Sequence, residues 1–239
     1  MKLVVVIPAY QAGRHIESVL GRVAALSSSG LAEVVVVDDG SRDDTVPRVQ
    51  RLQASGYRLR LIVRPANGGY GAAMKDGLTA ARSSEPDVVA CIHADGQYAP
   101  EALPELLTEL QRRNLDLLQG SRIAPGTALR GGMPLYKYVG NALLNRLENY
   151  TLRLDMTDYH SGYLVYGRRA LALPLQSLSD SFDFDLEVIA SARARGLAVG
   201  EAPIPTHYGD EVSHLNPLTY GLRVLRVMWN FRRGHYDVA

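Results

Sequence analysis

Residues 88–100 have the sequence VVACIHADGQYAP, an apolar run that ends abruptly in polar residues. The five apolar residues from Val88 to Ile92 precede a glycine-containing turn, which predicts a strand buried on both faces. In open α/β sheets ligands bind at the carboxyl ends of the strands. His93, Asp95 and Gln97 are therefore expected at the mouth of a pocket.

These three side chains offer an imidazole, a carboxylate and an amide oxygen. Such a mixed set suits Mg²⁺ or, with the imidazole, Mn²⁺, and phosphates would complete the coordination shell. The same residues also suit an ordinary strand-to-helix turn, in which Asp95 and Gln97 only satisfy backbone groups. The local pattern leaves both interpretations open.

The length of the chain fits one α/β domain or two small ones. The 239 residues are 46% hydrophobic, which is enough for a substantial core. No charged segment precedes an apolar signal-like stretch, and no run approaches the ~20 apolar residues that span a bilayer. We therefore expect a cytoplasmic protein. A net charge of +1 argues against a nucleic-acid partner.

Strand and helix patterns alternate through the first half of the chain. Four or five such alternations predict a doubly wound, mostly parallel sheet with helices on both faces. The segment PAYQAG after the first strand lacks the G-x-G-x-x-G fingerprint of dinucleotide binding. Besides 88–92, strands are predicted at residues 3–7, 34–37, 59–63, 116–120 and 163–166.

Two loops and the last helix carry functional hypotheses. Glycines at 67–71 precede an alanine-rich helix, where backbone can approach a phosphate. Residues 125–134 predict a mobile flap. The last helix would lie on anionic lipid or pack on its own domain. Its apolar side comprises Leu218, Leu222, Leu225, Met228 and Trp229, and its basic residues are Arg223, Arg226, Arg232 and Arg233.

Six motifs occur along the chain in the order VVVIPAYQAGRHIESVL, EVVVVDDGSRDDT, NGGYGAAMKDGL, HADGQYAPE, QGSR and SGYLVYGRRAL. Together they resemble the family-2 glycosyltransferases of GT-A fold, including the polyprenyl-phosphate hexose synthases. The resemblance implies transfer of a hexose, with inversion, from a nucleotide diphosphate sugar, using Mn²⁺ or Mg²⁺. It also implies one GT-A domain over residues 1–239. Residues 1–121 would bind the nucleotide sugar, and residues 122–239 would form the acceptor side with a C-terminal amphipathic helix.

The donor site follows from the resemblance residue by residue. Asp39 matches the acid that contacts the base or ribose, and Lys75 would neutralise the diphosphate. Local chemistry leaves alternatives open: a turn residue for Asp39, a solvated helix face for Glu17 and an exposed helical lysine for Lys75. The first nucleotide-binding segment is matched by Pro8, Ala9, Tyr10 and Glu17.

The metal motif contains one departure from the family pattern. Asp95 and Gln97 match the D-x-D-type motif, in which Asp95 also faces the donor, but His93 stands where many members carry aspartate. A neutral imidazole removes one negative charge and is a softer ligand, which favours Mn²⁺ over Mg²⁺. His93 therefore either binds the metal or packs beside it.

The acceptor side is implied by arginines and acids of the second half. Arg122 and Arg130 match positions near phosphate groups, and guanidinium groups bind phosphate well. Asp185 is the nominated general base for a hydroxyl acceptor, and the other candidate carboxylates are Asp158, Asp183 and Glu187. The acceptor remains open between a polyprenyl phosphate and a glycan or small-molecule hydroxyl. Contact with a membrane surface and a homodimer are further candidate interactions.

Two rival functions stay in view. A nucleotide-sugar-binding module without activity is favoured by the unusual His93. A nucleotidyltransferase uses a similar sheet and acidic metal ligands, but the glycine-rich, lysine-containing signature of that class does not follow the first strand. We rank this second rival below the other hypotheses.

Overall fold

A computed structural model describes residues 1–124, 126, 135–205 and 217–237. These residues form one seven-stranded sheet. Its strands are β1 (Leu3–Ala9), β2 (Leu31–Asp38), β3 (Leu59–Val63), β4 (Val88–Cys91), β5 (Leu117–Ser121), β6 (Leu164–Gly167) and β7 (Val199–Pro203). The strand order is β3-β2-β1-β4-β6-β5-β7. The predicted α/β fold with a mostly parallel sheet is confirmed.

Eight α-helices are assigned within the described residues. They are α1 (Ile16–Ala24), α2 (Thr45–Ala54), α3 (Tyr70–Arg82), α4 (Leu103–Arg112), α5 (Leu135–Leu152), α6 (Arg168–Leu171), α7 (Phe184–Ala194) and α8 (Pro217–Arg232). None of the described helices is long and apolar enough to cross a membrane. The flap predicted at residues 125–134 falls almost wholly outside the described residues.

The interior strand β1 explains how the sheet acquires two apolar layers. Its side chains alternate between the faces, as the period of a strand requires. Val4 and Val6 pack in the cluster that contains Met74 of α3, whereas Val5 and Ile7 pack on the side of α1. These four β1 side chains are fully buried. A strand covered on both faces is a continuous apolar run, which is why the sequence pattern identified it.

The strand directions determine which strand ends lie together at one edge of the sheet. β1 runs parallel to β2 and β4, and β2 runs parallel to β3. β6 is antiparallel to both β4 and β5, so β5 points the same way as β4. The carboxyl ends of β1 to β5 therefore share one edge of the sheet. β6 and β7 come from the half after residue 121 and complete the same sheet.

Candidate active site at the carboxyl ends of the strands

The loops after β1 and β2 are locked together by hydrogen bonds from backbone to side chain. The Gln11 amide donates to Ser41 Oγ over 2.9 Å, and the Ala12 amide donates to Thr45 Oγ1 over 2.8 Å. Tyr10 directly precedes these two anchors and is 47% exposed at the edge of the sheet. The neighbouring Ala9 is buried. Tyr10 can therefore present its ring to a ligand, as predicted for the nucleotide base.

Asp39 holds the glycine loop that begins α3. Its two carboxylate oxygens accept hydrogen bonds from the backbone amides of Gly68 and Gly69 over 3.0 and 2.9 Å. The carboxylate also forms an ion pair with Arg64. Gly69 has φ +100°, and a Cβ there would collide with the carbonyl oxygen of Asp180. Asp39 thus sets the position of the α3 N-terminus. Its predicted contact with the base or ribose stays a prediction.

Glu17 is engaged by protein cations on the face between α1 and α2. Its carboxylate pairs with Arg48 at 2.6 Å and Arg51 at 3.2 Å. The hydrogen bonds from these arginines lower the pKa of Glu17. The contact ties α1 to α2, and a role of Glu17 in nucleotide binding stays a prediction.

Lys75 is buried on α3 rather than solvated. Its Nζ donates to the carbonyl oxygen of Leu178 over 2.9 Å and pairs with Asp180 Oδ1 at 2.5 Å. The ammonium thereby fastens α3 to the segment before α7. In this structure the Lys75 ammonium binds other protein groups. Its predicted neutralisation of a diphosphate stays a prediction.

His93 is wedged between two aromatic rings just beyond β4. Its ring centroid lies 5.2 Å from those of Tyr70 and Tyr98, each in an edge-on arrangement. Nε2 lies 3.3 Å from the Tyr70 hydroxyl, and a Cβ at Gly162 would collide with the imidazole. Burial lowers the pKa of His93, with Arg122 acting in the same direction and Asp95 opposing it. The imidazole is therefore neutral at pH 7.

Asp95 and Gln97 form a tight turn around Gly96. Asp95 Oδ1 accepts the Gln97 amide over 3.0 Å, and Gly96 has φ +78°. In the described parts of the chain no group of three His, Cys, Asp or Glu side chains is placed to hold an ion. A cation here would depend on Asp95 together with neutral protein donors and ligand oxygens.

Arg122 and Asp158 form a buried bidentate pair after β5. Arg122 Nε and Nη2 donate to the two carboxylate oxygens of Asp158 over 2.7 and 3.0 Å. Backbone amides of Arg122 and His160 donate to the same carboxylate. Burial alone would raise the pKa of Asp158, but the charge and hydrogen bonds of Arg122 outweigh it and the pKa is lowered. Asp158 therefore positions Arg122, whereas Arg130 lies outside the described residues.

Asp185 lies in the first turn of α7 and is only 6% exposed. The Tyr70 hydroxyl donates to its Oδ2 over 2.7 Å. Burial raises the pKa of Asp185 to about 7, and the Tyr70 hydrogen bond opposes that rise. Since Tyr70 also approaches His93, one hydroxyl links the strand-end motif to α7. No role for Tyr70 was predicted, because its partner Asp185 is 115 positions away in sequence.

Replacing Asp185 with asparagine should stabilise the protein more at pH 8 than at pH 5. The folded pKa is about 7 against 3.8 for an unperturbed aspartate, so the native state binds more protons and the stability of the wild type falls as pH rises between these values. Asparagine does not titrate. Chemical denaturation should show a gain at pH 8 that exceeds the gain at pH 5 by about 2 kcal/mol. The exposed Asp155→Asn is the matched control, and a gain independent of pH would contradict the account.

The fold and this edge define an α/β protein of GT-A type. The crystal structure of glucosyl-3-phosphoglycerate synthase from Mycobacterium tuberculosis has the same fold, with a TM-score of 0.72 at 22% identity over 96% of this chain and 80% of that one. That synthase has also been solved with Mn²⁺, uridine diphosphate and phosphoglyceric acid.

The family is shown by the sequence as well. Residues 4–173 match the family model described as glycosyl transferase family 2, and the chain belongs to that family. It is 32% identical over 206 residues to the low-salt glycan biosynthesis hexosyltransferase Agl6 of Haloferax volcanii, covering 86% of this chain and 47% of the relative. It is also 32% identical over 182 residues to a dolichol-phosphate mannosyltransferase of Mycosarcoma maydis, covering 74% and 52%. The chain thus spans about half the length of these two relatives.

Proposed function

We propose that the chain is a glycosyltransferase that moves a hexose from a nucleoside diphosphate sugar to an acceptor. The observation that carries the proposal is the alignment of three features along one edge of the sheet: the glycine loop held by Asp39, the Asp95 turn, and the pair of Arg122 with Asp158. A helix N-terminus, a carboxylate and a guanidinium are groups that bind a diphosphate and its cation. Membership of glycosyl transferase family 2 supports the same reaction.

The donor set at the Asp95 turn suits Mn²⁺ or Mg²⁺. The Asp95 carboxylate and the side-chain amide oxygen of Gln97 would hold the ion with hard oxygen atoms. Diphosphate oxygens would supply the remaining ligands. The neutral His93 has one ring nitrogen directed at Tyr70, so we assign it to packing beside the ion. When bound, the ion would offset negative charge on the departing diphosphate. The complex of the Mycobacterium tuberculosis synthase with Mn²⁺ and uridine diphosphate supports this assignment.

The chain's own residues would position the reaction. An acceptor oxygen attacks the anomeric carbon while the bond from that carbon to the diphosphate oxygen breaks, and attack from the opposite side inverts the anomeric configuration. If the acceptor is a hydroxyl, its proton must pass to a base, and Asp185 with a pKa of about 7 suits that task. Asp158 is less suited to act as the base, because its carboxylate already accepts two hydrogen bonds from the Arg122 guanidinium.

We favour an acceptor that carries a phosphate. Arg122, positioned by Asp158 at the end of β5, presents the chemistry that recognises a phosphate group. Two of the three named comparisons support this choice, since one is called a dolichol-phosphate mannosyltransferase and the other was solved with phosphoglyceric acid. A phosphate oxygen is already anionic and needs no base. Transfer of labelled hexose to a polyprenyl phosphate or to a phosphorylated small molecule would distinguish the two sources of that phosphate.

Binding of a nucleoside diphosphate should require a divalent cation. Isothermal titration of uridine or guanosine diphosphate into the protein with Mn²⁺ should give a Kd at least about tenfold tighter than the same titration with a chelator, because the ion would offset the negative charges of both Asp95 and the diphosphate. Equal affinity under both conditions would contradict the metal assignment. If the protein binds the donor but shows neither transfer nor slow donor hydrolysis, it is an inactive nucleotide-sugar-binding module.

A further inference from the structure

The helices α5 and α8 pack against each other and leave a row of large apolar side chains uncovered. On α8 the exposed positions recur at helical spacing, so they share one face. Leu222 is 68% exposed and Trp229 is 59% exposed. The full set, which we call the apolar face, consists of Leu135, Val139, Leu143 and Tyr150 of α5 with Leu222, Leu225 and Trp229 of α8.

The rest of α8 is anchored inside the protein, which divides the apolar stripe predicted from sequence. Val224, Val227 and Met228 are buried in the core. The Tyr220 hydroxyl lies 2.9 Å from His160 Nδ1. Met228 therefore belongs to the packed side, and the exposed residues are additional to what the fold needs. Large exposed apolar patches on soluble proteins mark interaction surfaces.

Two arginines lie over aromatic rings of the apolar face, and one of them joins its two helices. The Arg232 guanidinium lies 5.5 Å from the ring centroid of Tyr150, and that of Arg233 lies 4.9 Å from the ring centroid of Trp229. Glu148, one of the two acids in these segments, is fully buried. Residues 135–152 and 217–237 contain the bases Lys137, Arg146, Arg223, Arg226, Arg232 and Arg233 against the acids Glu148 and Asp237.

We propose that the apolar face docks on an anionic lipid surface, with its leucines and Trp229 in the headgroup region and its arginines on lipid phosphates. An apolar face bordered by arginines is the composition that binds such an interface without crossing it. A second copy of the chain fits less well. A two-fold interface would place the same arginine-rich surface on both partners, and like charges would then oppose each other.

Helix α8, which carries part of the apolar face, is connected through contacts to Arg122 of the candidate site. Tyr220 of α8 contacts His160, and the His160 amide donates to Asp158, which holds Arg122. Docking through α8 would therefore present this side of the site to the lipid. The apolar face lies outside the donor site, so docking does not depend on sugar transfer.

Trp229 is the sole tryptophan of the chain, so its fluorescence reports directly on the apolar face. Adding vesicles of phosphatidylcholine with phosphatidylglycerol should shift its emission to shorter wavelength and protect it from acrylamide. Pure phosphatidylcholine should have a much smaller effect, and added salt should weaken the response. The vesicles contain neither donor nor acceptor, so this result is independent of the proposed transfer reaction.

Matched variants separate specific docking from general attraction. Arg226→Gln should weaken partition into the anionic vesicles about fivefold, whereas Arg58→Gln, also exposed and outside the apolar face, should leave it unchanged. Replacing Leu222 and Leu225 with serine should weaken partition at least about tenfold. The control replaces the exposed Tyr57 and Val63 with serine.

Three outcomes would overturn the proposal. One is unchanged Trp229 emission on adding anionic vesicles, and another is equal weakening by the test and control variants. The third is an emission shift that follows protein concentration without vesicles, which would assign the face to a second copy of the chain.

Discussion

Replacing Asp95 with asparagine should remove metal-dependent binding of nucleoside diphosphate and lower transfer activity at least about a hundredfold. The substitution keeps the size of the side chain. It also keeps one oxygen that can accept the hydrogen bond from the backbone amide of Gln97, so the turn should survive. It removes the anionic charge that holds the cation. The expected measurement is a titration in which Mn²⁺ no longer improves the Kd for uridine or guanosine diphosphate.

The same chain offers a control for this experiment. Asp87 precedes the other end of β4, where it accepts the Lys2 amide over 2.7 Å and pairs with Arg168. Asp87→Asn removes the same charge far from the carboxyl ends of the strands and should leave Mn²⁺-dependent binding intact. If Asp95→Asn retained the metal effect, Asp95 would be a turn residue only, which is the alternative that local sequence left open.

The strands could be predicted where one chain segment contains the whole signal. β1, β2 and β4 are buried on both faces and therefore appear as apolar runs. β7 was missed because Val199–Pro203 contains glycine, glutamate and proline and is only partly buried at the edge of the sheet. The antiparallel insertion of β6 between β4 and β5 was also not predicted, because a four-residue apolar strand carries no information about its direction.

The location of the candidate site could be predicted from the sequence, but the hydrogen bonds and ion pairs within it could not. The order of the motifs located the edge, since carboxyl ends of parallel strands meet there. Contacts between distant segments were not visible in the pattern. Glu17 meets Arg48 at a separation of 31 residues, and Tyr70 meets Asp185 at a separation of 115. Such contacts depend on how helices pack against the sheet, and no local periodicity encodes them.

The largest effect on stability is expected from Asp158→Asn. The variant removes the negative charge that pairs with Arg122, whose side chain is only 11% exposed. Breaking a buried ion pair by removing one partner typically costs about 3 to 5 kcal/mol, because the remaining charge stays desolvated. Chemical denaturation at pH 7 should show a loss of this size. Transfer activity should also fall, since the arginine proposed to bind phosphate would no longer be held in position.

Two further variants make this second prediction decisive. Asp87→Asn breaks an ion pair whose Arg168 side chain is 73% exposed, so solvent screens the pair and the loss of stability should be far smaller than for Asp158→Asn. Combining Asp158→Asn with Arg122→Gln removes both buried charges, so much of the lost stability should return although activity stays low. If the double variant were as unstable as the sum of the two single variants, the pair would be uncoupled. Arg122 would then owe its position to other contacts of the loop after β5.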